Sequence, residues 1–141
     1  MMKKLILFLI LFSGFQGFAQ QQAPLPAHKV IMQMSSSDTL VHKGLINQLN
    51  ALKEYWGAEV AIEVLLLGPG VDMVVRDRAT QVKAISLSRE KGVRFIVCEN
   101  TLKQRKIEKD KLILGLDFVA FGQVHLITRQ EEGWSYIKVG F

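Results

Sequence analysis

The chain alternates short apolar runs with segments whose apolar residues recur every three or four positions. The first run, His28 to Met34, ends at Ser35-Ser36-Ser37-Asp38. Such a cluster starts helices, because short polar side chains accept the free N–H groups of a first turn. Behind it Val41, Leu45, Leu49, Leu52 and Trp56 stand 4, 4, 3 and 4 residues apart, one apolar face of a helix. Gly57 is placed to cap that helix at its C-terminus. Val60 to Leu67 is a second strand, broken by Gly68-Pro69-Gly70. Helical material over 71–91 follows, in two pieces split near Ala79-Thr80, and Gly92 closes it.

Val93 to Cys98 is a third strand. Thr101 and Gln104 then fit a capping box, in which each side chain satisfies an unpaired backbone N–H of the first turn. The spacing predicts a basic, polar helix to about Asp110, a short fourth strand over Asp117–Ala120 and a helix over Phe121–Glu132 with Val124 and Ile127 facing inward. Gly133 ends it, and Trp134–Val139 is the fifth strand. Strands alternating with helices predict an α/β fold, a three-layer sandwich around a mostly parallel five-stranded sheet. The apolar strands suit burial on both sheet faces.

Residues 1–27 are set apart from this pattern. Lys3 and Lys4 precede the apolar stretch Leu5–Phe12, and Gly17 and Ala19 suit signal-peptidase cleavage after Ala19. The stretch is too short to cross about 30 Å of hydrocarbon, so stable membrane insertion is not expected. Residues 1–19 read as a signal peptide, 20–27 as a flexible leader and 28–141 as one domain, secreted across the inner membrane with the periplasm as destination. Without Lys3 and Lys4, 16 basic residues face 13 acidic ones. A surplus of that size favours solubility and gives no reason to expect a nucleic-acid partner. The basic segment Lys103–Lys111 agrees, being interleaved with Glu108 and Asp110 and free of aromatics.

Cys98 is the one cysteine, so an intramolecular disulfide is excluded. In an oxidising compartment such a residue is buried and inert, paired with another molecule, or chemically active. Open α/β sheets build sites beyond the carboxyl ends of their strands. Three segments should meet there: Ser35-Ser36-Ser37, Gly68 and Gly70 with Pro69 between them, and Cys98-Glu99-Asn100-Thr101. A helix N-terminus after Cys98, with Lys103, Arg105 and Lys106 beyond, would favour the thiolate. The bland alternative is a small buried hydrophobe. Gly68-Pro69-Gly70 lacks the Gly-Lys-Ser/Thr ending of a phosphate loop, and the triple serine is first of all a cap. His28, His42 and His125 show no i, i+4 pair, which gives a metal site little support, and no cofactor signature is present. Glu131 and Glu132 read as solvated charge at a helix end. Phe118, Phe121, Trp134, Tyr136 and Phe141 enrich the C-terminal third in interface-type aromatics, with ordinary core packing as the simpler explanation for most.

Four pieces together resemble the DsrE/DsrF-like family: His28-Lys29-Val30-Ile31, Gly68-Pro69-Gly70, the run Gly92 to Leu102, and the closing Gln130 to Lys138. The resemblance spans about residues 28 to 138 and implies a flavodoxin-like sandwich that assembles into trimers or hexamers. In sulfur-relay members a cysteine at this strand end carries sulfur as a persulfide, and Cys98 stands at that position. The resemblance therefore implies a sulfur carrier working with a donor or acceptor protein, or with a small sulfur species. Two alternatives stay open: a non-enzymatic oligomeric module that binds a small ligand or partner, and a thiol redox sensor.

Overall fold

The computed structural model describes residues 25–140; the signal-peptide reading, most of the leader and Phe141 lie outside the described residues. Five strands form one sheet: β1 (His28–Met34), β2 (Val60–Leu66), β3 (Val93–Cys98), β4 (Asp117–Val119) and β5 (Ser135–Val139). Their order is β4-β3-β2-β1-β5, and every neighbouring pair is parallel. The helices are α1 (Thr39–Trp56), α2 (Val82–Glu90), α3 (Glu99–Arg105) and α4 (Gly122–Glu131).

The order explains the layers. Each step from β1 to β4 moves the same way across the sheet, and right-handed crossovers put all three connections on one face. The return from β4 at one edge to β5 at the other reverses direction and puts α4 alone on the opposite face. Side chains alternate accordingly. Met32, Met34, Val64, Leu66, Phe95 and Val97 point into the large core with Leu45, Leu49, Ile85 and Leu102. Ile31, Leu65, Leu67, Ile96 and Cys98 form the smaller core beneath α4, with Val119, Leu126 and Trp134 against its border. The apolar strands are buried on both faces only at the sheet centre; of edge strand β5, Val139 alone is buried.

The punctuation read from the sequence holds in most places. Asp38 caps α1, its carboxylate accepting the Leu40 N–H at 2.8 Å, and Gly57 ends that helix with φ +54°. The material over 71–91 does divide, into a 3-10 turn over Gly68–Met73 and then α2. Three expectations fail. First, α3 starts at Glu99, not Thr101, and no side chain caps it. The Thr101 hydroxyl is taken instead by the Gly68 N–H at 3.2 Å, across the sheet edge. Second, α3 ends at Arg105, and a separate 3-10 turn follows at Lys109–Lys111. Third, Val124 and Ile127 point outward, 61% and 56% exposed. The helix docks instead through Gly122, His125, Leu126 and Arg129, a stripe that is half polar and therefore invisible to an apolar periodicity.

Candidate functional site

Cys98 ends β3 and directly precedes α3, at the carboxyl edge of the sheet. By strand alternation its side chain turns away from the large core and toward α4. It is buried, 2% exposed. The Gly122 N–H donates to Cys98 Sγ at 3.2 Å, and the Ala120 carbonyl oxygen lies 4.0 Å from the sulfur on the same turn. Asn100 donates its backbone N–H to that carbonyl at 3.1 Å, so the β4–α4 turn is stitched to the start of α3 over the thiol. Gly122 has to be a glycine: a β-carbon there would run into the Leu67 side chain and stand 3.3 Å from Cys98 Cβ. The first N–H of α4 thus points at the sulfur.

The three segments expected at the strand ends do reach the same edge of the sheet, but they do not converge on a single site. Gly68 and Thr101 join through the bond described above. Gly70 sits against the Met34 carbonyl and the Ser35 α-carbon, an approach that a β-carbon would block. Ser35 accepts from the Gln33 side chain at 2.9 Å, and Ser36 accepts the Asp38 N–H at 3.1 Å. Ser37 is exposed. The serines thus shape the entry to α1, with β2 standing between them and Cys98. Glu99 pairs with Lys109 on the surface. Arg105 is turned to Asp72 at 2.8 Å and to the Gly68 carbonyl at 3.1 Å, away from the role of steadying the sulfur. The guanidinium groups of Arg105 and Arg78 hold the Asp72 carboxyl below its ordinary value against the opposing effect of burial.

Two open clefts flank the thiol and neither includes it. One, about 500 Å³, is lined by Glu99, Leu102, Lys103, Lys106 and Lys109. The other, about 260 Å³, lies beside the β4–α4 turn and is lined by Val119, Ala120, Phe121, Val124 and His125.

Sequence reasoning missed the polar cluster on the same face. Glu63, in the middle of β2, is 1% exposed. One of its carboxylate oxygens accepts from Arg94 Nη1 and Arg129 Nη2, each at 2.8 Å. The other accepts from His125 Nε2 at 2.8 Å and Arg129 Nε at 2.9 Å. An ionised carboxylate only accepts, so His125 donates from Nε2. Burial pushes the Glu63 carboxyl up, but the bonds from Arg129 and His125 outweigh it and hold the group below its ordinary range. The signal was present in the sequence as an acid inside an apolar strand, register-matched to Arg94 on β3. Arg129 also pairs with Glu132 and lies over the Trp134 ring, so Glu132 is held in an ion pair and not simply solvated. Of the aromatics, Phe118, Phe121 and Tyr136 are substantially exposed, which core packing does not explain.

A parallel five-stranded sheet of order β4-β3-β2-β1-β5 with helices on both faces, and a strand-end cysteine under a lone return helix, defines a small three-layer α/β sandwich. The model of the DsrE/DsrF-like family matches residues 44–139, and the chain belongs to that family. Among solved structures, the chain is similar to protein MTH1491 of unknown function from Methanobacterium thermoautotrophicum. The identity there is 32% and the TM-score 0.74, over 79% of this chain and 98% of that one. BT1422 of Bacteroides thetaiotaomicron, also of unknown function, matches at 19% identity and TM-score 0.65, over 83% of this chain and 100% of that one. The ychN protein of E. coli matches at 16% and 0.62, over 79% and 98%. The last two likenesses concern the fold alone. Comparison with curated proteins finds no match.

Proposed function

We propose that this chain is an exported sulfur carrier, in which Cys98 holds one sulfur atom as a persulfide between a donor and an acceptor. The observation that carries the reading is the Gly122 N–H aimed at Cys98 Sγ from the first turn of α4. That donor stabilises a sulfur anion, the form that attacks and the form that leaves. In the loading step the Cys98 thiolate attacks the outer sulfur of a donor persulfide. A new S–S bond forms to Cys98, the donor's S–S bond breaks, and the donor leaves as a thiolate with the electron pair. In the unloading step an acceptor thiolate attacks the outer sulfur, and Cys98 departs as thiolate. Neither step consumes an oxidant or reductant. The segment 1–19 supports a periplasmic setting, with a small sulfur species or a thiol protein as donor. Incubating the mature protein with polysulfide and weighing it intact, with Cys98→Ser as control, tests the reading.

A second reading is favoured by a different observation. Phe121, Val124 and Ile127 form an exposed apolar row along α4. Exposed patches of this kind mark association surfaces, and they suit a trimer or hexamer acting as a binding module in which Cys98 is only packing. Sedimentation of wild type and Cys98→Ser separates the two, because an assembly module keeps its size and its binding without the sulfur.

A further inference from the structure

We propose that α4 is a lid over Cys98, latched at its far end by Glu63. The proposal concerns regulation of the thiol named above. It uses only the accessibility of that thiol, so it can fail while sulfur carriage stands, and hold while carriage fails.

The thiol has no exit through the sheet. Beneath it lie β2 and β3, and above it the start of α4 and the Ala120-Phe121-Gly122 turn. A reagent reaches the sulfur only if that turn moves. Helix α4 runs back from Cys98 toward the amino edge of the sheet. Seven residues of helix separate Gly122 from Arg129, about 10 Å. Four residues of strand separate Cys98 from Arg94, about 13 Å. The two ends of the helix therefore sit over the two ends of the same stretch of sheet.

Those ends are held differently. The Gly122 end is attached by one N–H to sulfur and by the Asn100–Ala120 backbone bond, and it follows a three-residue edge strand. Its outer row of Phe121, Val124 and Ile127 is exposed in the single chain. The rest of the helix, from His125 one turn beyond Gly122 to Arg129 in the last turn, is tied by three charge-assisted bonds to Glu63, which Arg94 also holds from β3. Asp117 on β4 braces Arg94 at 2.9 Å, and Glu132 braces Arg129 from beyond the helix end. The helix can lift from the sulfur without disturbing the large core on the opposite face, where most of the apolar burial lies. Glu63 is thus a positioning residue for the thiol, acting through α4.

Native-state alkylation of Cys98 along a low-urea series, read beside global unfolding by circular dichroism, tests this. For wild type the expected result is an alkylation rate that depends on urea far less steeply than global unfolding does. Glu63→Gln should speed alkylation about tenfold or more, and should quicken amide exchange more at residues 120–132 than in β1–β3. If wild-type alkylation follows the full urea dependence of global unfolding, there is no lid. An unchanged rate in Glu63→Gln, with exchange showing α4 released, overturns the latch equally. Should Glu63→Gln fail to fold, the wild-type urea series decides the lid, and Arg129→Lys, which gives up the bidentate bond to Glu63 but keeps the charge, decides the latch by the same alkylation rate.

Discussion

The Gly122 amide and Cys98 Sγ stand 3.2 Å apart across 24 residues of sequence, and this contact closes the β3–β4–α4 unit over the thiol. It leaves no room for a larger residue at 122. Gly122→Ala gains helix propensity, about 1 kcal/mol at most. It meets the Leu67 side chain and crowds Cys98 Cβ at 3.3 Å, and overpacking of a tight site costs about 1–3 kcal/mol. The net effect should be a destabilisation of up to about 2 kcal/mol, read as a lower melting temperature. Gly44→Ala is the opposite case: its β-carbon meets nothing within 4 Å in the middle of α1. That change should raise stability by about 0.5–1 kcal/mol in the same melting experiment.

Removing one partner from the Glu63 cluster weakens its charge compensation without abolishing it. Arg129→Ala leaves Glu63 with Arg94 and His125, and Glu63→Gln leaves two arginines partly in contact with solvent, so each should lose about 1–3 kcal/mol in urea unfolding. Glu63→Leu with Arg94→Leu and Arg129→Leu together should lose less than either single change.

Acid should weaken the fold through the same groups. Glu63 and Asp72 titrate lower in the folded chain than unfolded: burial opposes this, and the bonds from Arg129 and His125, and from Arg105 and Arg78, overcome it. The unfolded chain therefore takes up protons first as pH falls. The stabilisation is complete above the ordinary carboxylate value of about 4 and drains away as pH drops through the lower folded values. Melting temperatures from pH 7 to 2 should fall steeply below about 4, and Glu63→Gln should flatten that fall.

Thr101→Val separates a local cap from a tie between loops. The Thr101 hydroxyl accepts the Gly68 N–H at 3.2 Å, so the isosteric change should cost about 1–2 kcal/mol. Amide exchange should quicken at Gly68. A capping role would quicken it in the first turn of α3 instead.

Strands β1 to β3 were legible because their apolar runs are long and bounded by glycine or serine, and Cys98 was legible as a strand end for the same reason. The phase of α4 was not. It docks through His125 and Arg129, whose partner Glu63 lies more than sixty residues away, so no local periodicity reports it. The Thr101 misreading is of the same kind: a hydroxyl correctly expected to accept a backbone N–H found its donor on another loop. What the sequence pattern could not supply was the cover on the thiol. That depends on the return from β4 to β5, and hence on strand order.

Association through α4 has a direct consequence. If the row of Phe121, Val124 and Ile127 is an assembly surface, Val124→Glu with Ile127→Glu should shift the sedimentation coefficient to that of a monomer and remove any concentration dependence of the melting temperature.

The central claim is that Cys98 carries sulfur, and intact mass spectrometry of the mature protein after polysulfide treatment tests it most directly. The account predicts a gain of one sulfur atom on the native protein, reversed by reductant, transferable to an added thiol and absent from Cys98→Ser. A native protein that gains no sulfur, under conditions where the urea-unfolded chain is alkylated at Cys98, would contradict it and leave the thiol as part of the core beneath α4.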